Sequence, residues 1–199
     1  MGGEVLQGLG KIGPGRSVAD GLRPIAEPPP LCNVAAAKVE GLMSGEGEEF
    51  ATIDALMTAL YSSISGPPGG QDFELSRRLQ HPDVRLVRTR LDEAGRPVAF
   101  SFSGGEYEAN ARALLANIPF FEVETRRRVV RFGNVAQIFS AYEARTAPEG
   151  GELIKRGMNM AHLYYDGTRW WLMHLIWDDE REGVEVPREP FDEWEDVGA

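Results

Sequence analysis

Between Phe120 and Asp178 the chain carries four long segments rich in aromatic and β-branched residues, "FFEVETRRRVVRF", "VAQIFSAYEAR", "LIKRGMNMAHLYY" and "RWWLMHLIWD", separated only by "GN", "TAPEGG" and "DGT". Side chains of this kind fit the pleated, half-buried surface of a sheet, and short Gly- and Asn-bearing connections turn one strand back on the next. The pattern predicts a four-strand meander ending in a strand with unusually dense indole.

Upstream of Pro119 the period changes. In "EFATIDALMTALYSSIS", Phe50, Ile53, Leu56, Met57, Leu60 and Ile64 fall on one helical stripe, which "GPPGG" then breaks. A short second helix, "DFELSRRLQ", is expected to start at the N-cap Asp72 and to stop before Pro82, whose ring disfavours helical geometry at His81. The segments "VRLVRTR" and "PVAFSF" read as a strand pair turning at Gly95. In "SGGEYEANARALLANI", Ser103 and Glu106 fit a capping box, and Tyr107, Ala111, Leu114 and Ile118 trace an apolar stripe. The order of elements predicts an α+β domain, its helices gathered against one face of a largely antiparallel sheet.

At 199 residues, one such domain leaves chain to spare at both ends. Residues 1–48, with "GPGR", "EPPPL" and "SGEGEE", keep no sustained period and read as a loosely ordered extension, residues 49–178 as the domain, and residues 179–199 as an acidic tail. The formal charge of −10 is concentrated near that tail, since Asp178 to Asp196 holds ten carboxylates against two arginines. Such a tail repels nucleic acid and anionic lipid. Alternation along a strand sends Arg126 and Arg128 to one face and Arg127 and Arg131 to the other, so "ETRRRVVRF" forms no basic patch, and no nucleic-acid partner is expected. With Cys32 the only cysteine, no intramolecular disulfide is possible. No run approaches the ~18 apolar residues of a membrane span, and the N-terminus lacks a basic start followed by an apolar stretch, so a cytoplasmic location is expected. The three histidines have no metal-ligand spacing, and neither a metal nor another cofactor is expected.

Three stretches carry a likeness to a known family: "LQHPDVRLV" from Leu79 as a helix-to-strand passage, "FGNVAQIFSAYE" from Phe132 as a long central strand, and "RGMNMAHLYYDGTRWWLMHLIWD" from Arg156 as a terminal hairpin. In these the chain resembles the nuclear transport factor 2-like superfamily, in particular its SnoaL-like branch, over roughly Glu49 to Asp178. The resemblance implies a curved, mostly antiparallel sheet wrapped around about three helices, a cone-shaped, cystatin-like roll enclosing a pocket. It selects no activity, because similar domains include isomerases, dehydratases, epoxide hydrolases, cyclases and non-catalytic subunits. Neither the Tyr-and-two-acids set of the ketosteroid isomerase type nor the Asp-Arg-Asp set of the limonene epoxide hydrolase type aligns onto this sequence, and no catalytic residue is carried over.

Strand parity sorts the last hairpin. Trp171, Met173, Leu175 and Trp177 share one wholly apolar face, expected to line the interior, while Trp170, Leu172, His174, Ile176 and Asp178 share the other. With "DGT" as a three-residue loop, Asn159 lies opposite Leu175 and enters the interior, and Gly157 leaves space beside Trp177. Apolar walls with one placed amide suit a ligand pocket, although a filled core with a satisfied Asn159 is the competing reading. Tyr142 is expected to point inward with Ile138 and Ser140. Asp54 and Tyr61, seven residues apart on the first helix, could both reach a pocket mouth, where a carboxylate beside apolar walls acquires a raised pKa; a solvated or salt-bridged Asp54 is the alternative. His81 is read as capping the second helix, and Glu143 and Arg156 as an outward ion pair worth only about 0.2 to 1 kcal/mol.

Two function classes remain open. One is a protein that binds a small hydrophobic or ring-bearing molecule, with or without cofactor-independent acid/base chemistry of the isomerase, lyase or cyclase type. The other is an interaction or accessory module, its outer sheet face with Met158, Met160, His162, Trp170, Leu172 and Ile176 buried against a second copy in a homodimer.

Overall fold

The computed structural model describes residues 49–187, so the expected extension and residues 188–199 of the tail lie outside the described residues. The elements are α1 (Ile53–Ile64), α2 (Phe73–Leu79), β1 (Gln80–Leu91), β2 (Pro97–Phe102), α3 (Gly104–Leu115), β3 (Phe121–Phe132), β4 (Val135–Arg145), β5 (Leu153–Tyr165) and β6 (Trp170–Asp179). This is the α+β order expected from the sequence. Among the described residues no helix is long and apolar enough to cross a membrane.

Local chemistry fixes the helix starts. The Thr52 hydroxyl accepts from the Ala55 amide, and Asp72 accepts from Leu75 at 2.9 Å. At α3 the Ser103 side chain accepts from the Glu106 amide while Glu106 accepts from the Ser103 amide, satisfying two otherwise orphaned donors. The β1–β2 turn is closed by Asp92, which accepts from the amides of Ala94 and Arg96, with Gly95 at φ +74°.

The six strands form one curved, unclosed sheet in the order β2-β1-β6-β5-β4-β3, with every pair antiparallel except β1 and β6. Strand β1 begins one turn earlier than expected and contains Pro82. The ladder to β6 is interrupted between Gln80 and Arg85, where proline has no amide to donate. His81 therefore lies in a strand rather than at a helix end, its Nδ1 accepting from the Asp83 amide. Helix α1 lies against the inner face, where Leu56, Met57, Leu79, Leu86, Ile138, Tyr142, Leu163 and Leu172 are almost fully buried.

The last hairpin corrects the expected parity. Its loop has four residues, Asp166 to Arg169, because Tyr165 pairs with Trp170. That extra residue turns Trp170 and Leu172 inward, 2% and 0% exposed. A β-bulge then opposes Leu163 to Leu172 and His162 to His174, leaving Met173 without a partner and restoring the expected parity beyond it. Leu175 and Trp177 accordingly face the interior, opposite Ala161 and Asn159, as half of the expectation had it. Trp171 and Met173 do not. Trp171 lies under the Arg169 guanidinium, 3.7 Å from its ring centre, and donates to Asp166 at 2.7 Å, while Met173 borders an open groove with Phe132, Val135, His162 and Tyr164.

Candidate functional site

A cavity of about 250 Å³ lies between the inner sheet face, the end of α1 and α3. Five side chains expected from the sequence line it: Tyr61, Tyr142, Asn159, Leu175 and Trp177. Leu60, Leu86, Tyr107, Ala111 and Phe120 complete an apolar wall, with the Tyr107 ring edge-on to Trp177 at 6.1 Å. The lip is apolar too. Leu114, Ile118 and Ile154 border the cavity yet are 55%, 46% and 43% exposed, so half of the stripe expected on α3 is not packed away.

The polar groups come from α1 and from five of the six strands. Glu122 on β3 projects into the cavity because alternation places it on the same face as Phe120 and Glu124. Burial pushes its carboxyl up to about 7, against the pull of the Lys155 ammonium and of the Asn159 amide, which donates to it at 3.3 Å. Asn159 also donates to the Tyr61 hydroxyl at 3.1 Å, and Tyr61 meets Ser140 at 2.6 Å. Ser140 in turn donates to Glu124, which the Arg127 guanidinium grips at 2.9 and 3.0 Å through Nε. Burial, with the charge of Glu122, raises the Tyr61 phenol well above its ordinary value and keeps it protonated.

A second cluster flanks the first. The Tyr142 hydroxyl donates to Asp179 at 2.6 Å, Lys155 pairs with the same oxygen at 2.9 Å, and Arg88 reaches the other at 3.3 Å. Burial works to raise the Asp179 carboxyl, but Lys155, Tyr142 and Arg88 together hold it below the usual range. Asp179 is thus part of β6 and of this cluster, not of a solvated tail. Gly157, opposite Tyr142 on β5, has a structural role different from the expected one. A Cβ there would lie 2.4 Å from the Tyr142 hydroxyl and 2.5 Å from the Asp178 carbonyl, so the missing side chain makes room for tyrosine rather than for Trp177.

Asp54 does not reach the cavity. It pairs with Arg127 at 2.5 Å on the exposed side of α1, and so joins the chain of groups that ends at Tyr61 only at its far end. Glu122, Lys155 and Asp179 were missed by sequence reasoning. The signal available was the pair of acids at alternate positions in "FFEVE", on the face that Phe120 needs for the core. Among the described residues no group of three or more His, Cys, Asp or Glu is placed to hold a metal ion.

No protein-family model matches the chain, and no curated protein matches its sequence significantly. Solved structures do match in shape. A protein of unknown function from Mycobacterium tuberculosis superposes with a TM-score of 0.51 at 17% identity, over 68% of this chain and 75% of that one. A protein of unknown function with a cystatin-like fold from Nostoc punctiforme gives 0.50 at 12% identity, over 64% and 88%. That cystatin-like fold is the one this chain shares. A protein assigned as the beta subunit of an aromatic-ring-hydroxylating dioxygenase from Novosphingobium aromaticivorans also superposes, at 0.50 and 17% identity over 65% and 87%. At such identities the likeness speaks to the fold alone.

Proposed function

We propose that the chain binds a small hydrophobic molecule bearing an oxygen function in the cavity between α1, α3 and the sheet, and that Glu122 exchanges a proton with it. The observation that carries this reading is the Glu122 carboxyl, its pKa raised to about 7 by burial, in a largely apolar cavity. A group that titrates near the working pH is populated in both its acid and base forms, which suits general acid/base catalysis. Asn159 orients the carboxyl, while Trp177 and Leu175 provide the apolar wall. The chemistry this arrangement supports is proton transfer: in an isomerase-type step Glu122 takes a proton from carbon next to a carbonyl and returns it elsewhere on the same molecule, and in a lyase-type step it hands that proton to a departing hydroxyl, which leaves as water. No cofactor enters that cycle.

Thermal-shift and calorimetric titration with steroids, aromatic polyketides and terpenoids test the binding. A ligand that stabilises the wild-type chain but not Trp177→Ala supports it, and a panel without any response counts against it. For a ketone that binds, solvent deuterium appearing next to its carbonyl with wild type, and not with Glu122→Gln, reports the proton transfer.

A second reading, favoured by the exposed side chain of Met160 at 41% and by the stacked His162 and His174 rings 5.5 Å apart, is that the outer sheet face pairs with a second copy. The two readings use opposite faces of the sheet and are compatible.

A further inference from the structure

The cavity is smaller than its opening is greasy. Pockets that bury a drug-sized ligand usually hold about 300 to 1,000 Å³, so at about 250 Å³ this one lies below the range for enclosing a long or multi-ring molecule entirely. Apolar surface nevertheless continues outward across Leu114 and Ile118 on one side and Ile154 on the other. Buried residues such as Leu86, Tyr142 and Leu175 form the deep end, and these exposed ones form the lip. A ligand that follows this gradient has one end inside and an apolar body that leaves over the lip.

The polar groups indicate what the inner end carries. Lys155 lines the cavity with its ammonium over the rings of Phe120 and Tyr142, at 5.9 and 5.6 Å, and its ion pair is with Asp179, not with Glu122. Glu122 and Lys155 influence one another yet form no ion pair within 4.0 Å, which leaves a gap between them. With Glu122 in its acid form, Lys155 and Arg88 are two cations facing the single anion Asp179, and one positive charge is left over. A carboxylate oxygen in the gap would accept from Lys155 and from the Glu122 acid together, and would neutralise the cluster.

We infer that the ligand is an elongated amphiphile, an unbranched or isoprenoid-like chain ending in a carboxylate, whose head sits between Lys155 and Glu122 and whose body passes out over Leu114, Ile118 and Ile154. This rests on the cavity being the binding site, as proposed above, with Glu122 holding such a head as an acid instead of taking a proton from carbon. The lip then belongs to the binding site and is covered when the ligand is bound.

The test is calorimetric titration of the full chain with hexanoic, octanoic, decanoic and dodecanoic acids, the matching primary alcohols, and 2-naphthoic acid as a compact acid. Affinity should rise with chain length, up to roughly fourfold per added methylene, the ratio that corresponds to about 0.8 kcal/mol of buried CH₂. Leu114→Ser combined with Ile118→Ser should flatten that rise for the two longest acids and leave hexanoic acid unchanged; both positions are exposed, so the fold is expected to survive. Lys155→Met should weaken the acids and not the alcohols. Binding of 2-naphthoic acid with no dependence on chain length would overturn the elongated ligand and leave the cavity reading standing. Equal affinity for acids and alcohols would overturn the carboxylate head. Failure of every probe would overturn this inference, and the cavity reading falls with it only when the steroids, aromatic polyketides and terpenoids give no response either.

Discussion

Asn159 donates from one amide nitrogen to both the Tyr61 hydroxyl, at 3.1 Å, and the Glu122 carboxyl, at 3.3 Å. One buried side chain therefore ties helix α1 to the group in the cavity that titrates near neutrality. Removing it takes a donor from a half-buried carboxyl and from a buried phenol that keeps only Ser140, a loss of about 1 to 3 kcal/mol for each group left unsatisfied. Asn159→Leu is expected to lower stability in urea by several kcal/mol and to raise the Glu122 pKa further, because the hydrogen bond that favours the charged form is gone.

Stability should depend on pH through Glu122, with a definite sign. Its folded pKa of about 7 lies above the ordinary 4.5, so the native state holds a proton that the unfolded state has released. Stability contributed by that proton is complete below the unfolded value and is lost as pH rises from about 4.5 to 7, by at most about 3 kcal/mol for a shift of this size. Urea titrations at pH 5 and pH 8 should show wild type losing more stability between the two than Glu122→Gln does, and parallel losses would contradict the assignment.

Trp170 and Trp171 are neighbours with opposite fates. Trp170, 2% exposed, should cost about 3 to 5 kcal/mol when changed to alanine. Trp171, stacked beneath Arg169, should cost about 1 kcal/mol or less. Equal costs in chemical denaturation would contradict the four-residue loop that sets the faces of these two residues.

Gly157→Ala places a methyl group 2.4 Å from the Tyr142 hydroxyl. The expected result is a loss of about 1 to 3 kcal/mol from overpacking, with Tyr142 displaced from Asp179. A smaller neighbour is the control: in a Tyr142→Ala background, which removes both the hydroxyl and the ring carbon at 2.6 Å, the same substitution should cost less.

The elements were legible in the sequence because each carries its own signal: capping residues at Asp72 and Ser103, a helical stripe ending at "GPPGG", and alternation in the later strands. The inward direction of Tyr142 followed from the same alternation; Asn159 was placed inside through a three-residue loop opposite Leu175, and is inside opposite Trp177 because the longer loop and the bulge offset one another. The hairpin was only half legible, since "DGTR" contains nothing that distinguishes a three-residue from a four-residue loop, and a bulge one strand further on leaves no mark in composition. Every residue between the loop and the bulge was therefore placed on the wrong face, and every residue beyond it on the right one. Glu122 stayed hidden for a different reason. A carboxylate in a strand is by default a solvated one, and only the packing of α1 and α3 over Phe120 shows that this one is enclosed.

The outer face gives one further expectation. If a second copy covers it, sedimentation should find a dimer that Met160→Asp converts to monomer, because a charge at a half-exposed apolar position opposes burial. A wild-type monomer at high concentration would remove this reading and leave the cavity untouched.

Glu122, half-buried in the wall of a ligand cavity, is held to titrate there near neutrality. Carbon-13 NMR of glutamate-labelled protein, with the Glu122 resonance identified by its absence in Glu122→Gln, reads that titration directly. A midpoint near 7 that moves when a ligand binds is the predicted result. A midpoint near the ordinary carboxylate value of 4.5, unmoved by any ligand, would contradict it.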